Sequence, residues 1–278
     1  MYNPLQIGIN SLEVDTGPPA CKVEPSFSNV ALLMHCEGAH GGTVFTDSSS
    51  YAHSIVRQAG GTIVTSTAES KFGSSSLAFP DHTNLNNFLR VAHHNILNLG
   101  SDNPFCIEFF VKYLNPLGCP TLFNADMYFF HKANAWVIGM STEFGENNFV
   151  MADVTTGTNN QLVTHNPIAL GGIPPGHNHC EYLNPPDPNV STDWRHMAFT
   201  YDGTTYRIFM EGVQLLARVD TPWIPSSTQE LFIGAGTRAW RDYPDQSHSG
   251  WLDEIRIVNG EAVYTCTFTP PTAPHPDA

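Results

Sequence analysis

The stretch WRHMAFTYDGTTYRIFMEGVQLLARV, residues 194–219, constrains the fold more than any other part of the chain. Apolar and polar residues alternate with a period of two on both sides of Asp202-Gly203. An Asp-Gly step between two alternating runs is a strong hairpin signal. A second turn at Glu211-Gly212 predicts a third strand, so Trp194 to Val219 reads as a meander. In PFCIEFFVKYL, Phe105, Ile107, Phe109, Val111 and Tyr113 share one face, while Cys106, Glu108, Phe110, Lys112 and Leu114 share the other. That pattern predicts a half-buried strand. ELFIGAG and GWLDEIRIV add two shorter strands, and Phe88 to Val91 suits a strand better than a helix. Stripes at i, i+3 and i+4 are almost absent. Many short strands, with 22 Gly and 21 Pro to turn them, predict an all-β sandwich.

Size and charge narrow the function. At 278 residues the chain is long for one all-β domain but can bury a sizeable core. With 26 acidic and 12 basic residues its net charge is −14. That excludes a nucleic-acid surface, which needs clustered Lys and Arg to replace counterions, and fits a cation or a basic partner. No apolar run approaches the ~20 residues that cross a bilayer, so no membrane partner is expected. The opening MYNPLQIGIN lacks the positive start and apolar run of a signal peptide, which predicts folding in a reducing cytoplasm. The six cysteines, Cys21, Cys36, Cys106, Cys119, Cys180 and Cys266, show no CxxC spacing and read as free, mostly buried thiols. Residues 1–27, rich in Pro and Gly, read as an extended N-terminal arm; 166–190 read as a long Pro/Gly-rich insertion loop; 266–278 form a proline-rich clasp. The remaining 28–278 read as one sandwich.

Five landmarks occur in order: ALLMHCEGAHGGTVFTDSSSYAHSIV, ESKFGSSSLAF, FCIEFFVKY, WRHMAFTYDGTTYRIFMEGVQL and GWLDEIRIVNGEAVYTCTFTPPTAP. Together they resemble laminin-G-like, concanavalin A-like jelly-roll domains of the kind found in tailed-phage virion proteins, over about residues 29–275. Glu37 stands where the family usually has Asp, Cys36 replaces an aromatic and Trp251 a Tyr. The resemblance implies an all-β jelly-roll sandwich whose last strand lies beside its first. It also implies that Tyr264 and Phe268 pin the Pro-Pro arm across the sandwich.

For catalysis, a glycosidase needs two carboxylates about 5 to 9.5 Å apart across a cleft. Asp253 and Glu254 fall on opposite faces of their strand and Glu108 stands alone, so no enzyme is expected. The run His177-Asn178-His179-Cys180-Glu181 offers zinc-type ligands but reads better as a polar loop, as do His93 and His94. The resemblance implies calcium, with Glu37, Asp47 and Asp253 as ligands by position. The competing reading gives Asp47 a turn and pairs Glu37 and Asp253 with arginines. A buried Asp253 must in any case be hydrogen-bonded, paired or on a cation. The loop Gly236–Gly250 supplies Arg238, Trp240, Arg241 and Tyr243, residue types that serve both sugar binding and protein interfaces.

The resulting expectation is a non-enzymatic phage virion structural protein, located in the virion and made in the host cytoplasm. It would decorate the capsid or attach to the tail through arm and loop contacts, as a homo-oligomer bound to other virion proteins. The alternative is a carbohydrate-binding receptor-recognition module, a lectin on a tail appendage that grips a glycan.

Overall fold

The computed structural model describes residues 21–80, 84–99, 103–113, 127–132, 134–141, 148–153, 161–163, 193–219, 224–236, 246–248 and 250–277. Two antiparallel sheets face each other. The larger runs β13 (Val213–Val219), β12 (Thr205–Met210), β11 (Arg195–Tyr201), β6 (Phe105–Tyr113), β17 (Gly250–Asn259), β4 (Ser76–Phe79) and β3 (Val64–Ser66), with β1 (Val30–Met34) also beside β17. The smaller runs β10 (Gln161–Val163), β9 (Asn148–Asp153), β8 (Trp136–Ser141), β7 (Met127–Lys132), β14 (Leu231–Ile233), β5 (Leu89–Val91) and β2 (Ile55–Arg57). A short ribbon pairs β15 (Ala235–Gly236) with β16 (Gln246–Ser247).

Alternation decides what fills the space between the sheets. Phe105, Ile107, Phe109 and Val111 of β6 point inward, as do Met197 and Phe199 of β11. They meet Phe129, Phe130 and Ile138 of the opposite sheet, with the Phe109 ring 5.0 Å from both Phe129 and Phe130. The β11–β12–β13 meander is the one that the Asp-Gly and Glu-Gly turns predict. At its first turn Gly203 takes φ +96°, and Asp202 accepts hydrogen bonds from the amides of Thr204 (2.9 Å) and Thr205 (2.8 Å).

Strand β17 departs from simple alternation. A strict period of two puts Leu252 on the face opposite Ile255 and Ile257, yet all three lie in the same core. A β-bulge resolves the conflict. Asp253 faces Phe110 and Arg256 faces Glu108, so one extra residue sits in β17. Glu254 absorbs the turn at φ +47°, a left-handed conformation that a side chain disfavours. The same point forks the sheet. Gly250–Leu252 pair with β4, whereas Ile255–Val258 pair with β1.

The outer face of the large sheet is not solvated around β6, contrary to the half-buried strand expected there. Residues 261–277 lie across it as a strap. Phe209, Ala198, Cys106, Val258 and Leu33 form a second apolar layer with Val263 and Tyr264, against which Phe27 and Phe268 pack. Tyr264 and Phe268 stack at 3.6 Å, and the Phe268 amide donates to the Gly212 carbonyl (3.0 Å). A Cβ on Gly212 would fall 1.9 Å from the Phe268 carbonyl oxygen, so only glycine admits the strap here.

Beneath the strap is a buried charge. Glu108 is fully buried. One of its oxygens accepts from Arg256 Nε (2.8 Å) and is ion-paired with Nη2 of the same guanidinium (2.6 Å). The other accepts from Tyr264 Oη (2.6 Å) and His196 Nε2 (3.0 Å). Burial opposes its ionisation, but the groups facing it, Arg256 among them, hold the carboxyl well below its ordinary range. Arg256 also reaches Glu24 at 2.6 Å.

Glu24 belongs to the expected arm. Residues 1–20 lie outside the described residues, but 21–27 rest on their own chain. The Val23 amide donates to the Val263 carbonyl, the Thr265 amide to the Cys21 carbonyl, and Lys22 bridges Tyr264. Cys21 and Cys266 form a disulfide across 245 residues, with Cα atoms 4.9 Å apart. This corrects the expectation of free thiols for these two. Cys36 and Cys106 are free and buried; Cys119 and Cys180, like the 166–190 insertion, lie outside the described residues.

Removing one member of a buried ion pair leaves the other charged and unpaired, which costs about 3–5 kcal/mol. Arg256→Met is therefore expected to lose about that much in urea denaturation. An unchanged midpoint would show that Glu108 is held by other means.

Candidate functional site

The fork in the large sheet opens a cavity of 470 Å³. β1 leaves β17 at Met34, and the bulge turns Glu254 toward the gap. Met34, Phe45 and Leu77 supply apolar surface, and Thr46, Ser48 and Thr65 supply hydroxyls. Four charged side chains, His35, Glu37, Glu254 and Asp277, complete the lining together with His275.

These groups are held in place. His35 Nδ1 donates to both oxygens of Glu254 (2.9 and 3.1 Å), and its Nε2 donates to Asp277 (3.0 Å). The Glu254 bond, against the cost of burial, raises the imidazole to about 9, so it is charged at neutral pH. Glu254 also accepts from the His275 amide (2.9 Å), which ties the strap to the cavity. Burial lowers the His275 ring to about 4 and keeps it neutral. Glu37 accepts from the Ser74 amide (2.9 Å) and hydroxyl (2.5 Å). A Cβ on Gly73, which takes φ +61°, would sit 1.8 Å from that carboxylate. The KFG turn thus owes its glycine to Glu37.

The three carboxylates expected to hold calcium are engaged otherwise. Asp47 is buried, and its two oxygens receive the amides of Leu33, Ser49 and His53 and the Ser49 hydroxyl, all at 2.8–2.9 Å. It makes the turn that seals the free edge of β1. Asp253 accepts from the amides of Lys71 (2.7 Å), Phe72 (3.3 Å) and Glu254 (2.9 Å). Burial pushes it up to about 7, opposed by the Lys71 amide. Glu37 and Asp253 therefore bind backbone amides where the sequence suggested arginines. Among the described residues no three His, Cys, Asp or Glu side chains gather to hold a metal. Arg238, Trp240, Arg241 and Tyr243 lie outside the described residues, as do His177 to Glu181. The cavity residues missed by sequence reasoning are His35, Glu254 and Asp277. The Met34-His35-Cys36 exit from an apolar run was the available signal.

The pH dependence of stability follows from these shifts. Burial holds His131 at about 4, His248 at about 3 and His275 at about 4. An unfolded histidine titrates near ~6.5, so the folded state binds fewer protons below that pH and loses stability as acid is added. Asp253, raised to about 7, works in the opposite sense, but one carboxyl stands against three imidazoles. His35 is raised, so its contribution is complete below ~6.5 and is lost as pH climbs through about 9. Melting temperature is expected to peak near pH ~6.5 and to fall toward pH 9, and His35→Gln to remove the alkaline fall selectively. A profile unchanged by that substitution would refute the His35–Glu254 pairing.

No curated protein matches the sequence. The solved structures that match share the fold at low identity. The binding domain of Paraclostridial Mosquitocidal Protein 1 is 15% identical with a TM-score of 0.52, covering 87% of this chain and 50% of that one. The receptor binding domain of the botulinum neurotoxin C/D mosaic serotype is 10% identical with a TM-score of 0.55, over 85% and 49%. The binding domain of botulinum neurotoxin DC in complex with SialylT is 12% identical with a TM-score of 0.53, over 85% and 49%. The chain thus spans about half the length of each. All three are binding domains, and this chain shares their fold.

These neighbours correct the phage assignment. The structures matched are binding domains of toxins, so the capsid or tail role, the virion partners and the homo-oligomer expected with it fall away. The virion and host-cytoplasm location expected with that role falls too. A family profile matches residues 84–263, more than half of the chain. The protein belongs to the concanavalin A-like lectin/glucanases superfamily, as an all-β jelly-roll sandwich.

Proposed function

We propose that the protein is a carbohydrate-binding module that recognises a receptor glycan. The observation that carries this reading is a preformed cavity in a lectin-type sandwich. Its volume, 470 Å³, lies in the range of about 300–1,000 Å³ typical of small-molecule sites. Apolar surface beside hydroxyls and fixed carboxylates suits a pyranose, which has apolar C–H faces and a rim of hydroxyls. Glu37, Glu254 and Asp277 can each accept from a sugar hydroxyl, and their positions are set before ligand arrives, which lowers the cost of binding. The neighbouring toxin domains support recognition of a receptor as the use of such a site.

A glycan array probed with the oxidised protein tests the reading. Saturable binding to a defined subset of glycans is expected, competed by the free sugar. Uniformly blank spots, with the protein shown to be folded, would overturn it. Running the array in calcium and in EDTA tests the calcium expectation by itself.

A further inference from the structure

The cavity has a charge that the proposed function does not require. Glu37, Glu254 and Asp277 stand against one imidazolium, His35, and the whole chain carries −14. The other basic group in the lining, His275, is 6% exposed and neutral, and no hydrogen bond reaches its Nε2. It presents no positive charge to a ligand. The nearest strong cation on β17, Arg256, is turned away to Glu108 and Glu24 on the strap side. Two of the three carboxylates are fixed by special backbone geometry: Glu254 rides a bulge at φ +47°, which a side chain disfavours, and Glu37 depends on the missing Cβ of Gly73 at φ +61°. Asp277 is held to the other side of the same imidazole.

A neutral sugar would gain nothing from this net charge. A sugar acid would be repelled by it, because like charges would meet. A ligand with one positive charge and a ring of hydroxyls would use every feature at once. Its ammonium donates three hydrogen bonds to fixed carboxylates, its hydroxyls meet Thr46, Ser48 and Thr65, and its apolar face meets Phe45 and Leu77.

We infer that the cavity at the fork of the large sheet binds an amino sugar with a free amine, seated through its ammonium group among Glu37, Glu254 and Asp277. This rests on the carbohydrate reading and sharpens it to a substrate class. It also sets this chain apart from the relative solved with SialylT, because a sialyl carboxylate would face the same three acids.

Isothermal calorimetry with chitosan oligomers and with fully N-acetylated oligomers of equal length separates the charge from the sugar. The free-amine oligomer is expected to bind at least about tenfold more tightly, as for hydrogen bonds to charged groups, and to weaken with added salt. Glu37→Gln is expected to remove most of that preference. Thr46→Trp, at an exposed position of the wall, is expected to abolish binding while the melting temperature stays unchanged. Equal affinity for the two oligomers, or binding that survives Thr46→Trp, would overturn the inference. If other glycans bind the array while chitosan oligomers do not, the carbohydrate reading stands and this inference fails. If neither binds, both fail.

Discussion

An ionised carboxylate cannot stay in a protein interior without partners, and Glu108 is such a group. Its partners come from three elements of the chain. Arg256 is on β17, His196 on β11, and Tyr264 on the strap that covers them. Satisfying Glu108 therefore fixes the strap to the sheet and the sheet's central strands to one another. The aromatic stack of Tyr264 on Phe268, the Gly212 contact and the Cys21–Cys266 disulfide add to this, but each acts at one end of the strap. The carboxylate lies under its middle.

The strap also links the buried charge to the surface. Its His275 amide binds Glu254, and Asp277 binds His35, so the last turn of the strap forms one wall of the cavity. The opposite wall is made where β1 and β4 part company beside β17. A single inserted residue at Asp253-Glu254 does both jobs: it keeps Leu252, Ile255 and Ile257 in one core and aims a glutamate into the gap. Packing and site are thus two consequences of the same bulge.

Much of this fold was legible. The Asp202-Gly203 and Glu211-Gly212 turns define the meander, and the pairing of β1 with β17 is the terminal adjacency that the resemblance implies. The site was less so. Strict alternation has no place for a bulge, and Glu254, not glycine, is the residue that adopts the left-handed conformation. Glu108 looked solitary because its side-chain partners lie 88, 148 and 156 residues away. No spacing rule connects Cys21 to Cys266. Asp47 followed the turn reading, whereas Glu37 and Asp253 found amides that a sequence does not display. The phage reading erred for a different reason: the ordered landmarks are those of a sandwich shared by many binding proteins, and a fold does not carry its user's identity.

The central claim is that the strap is part of the folded core, locked from below by Glu108. Amide hydrogen exchange of the oxidised protein tests it most directly. The account predicts that the amides of Thr265, Phe268 and His275 exchange as slowly as those of β6 at Cys106 to Phe110. Fast exchange in the strap beside full protection in β6 would contradict it.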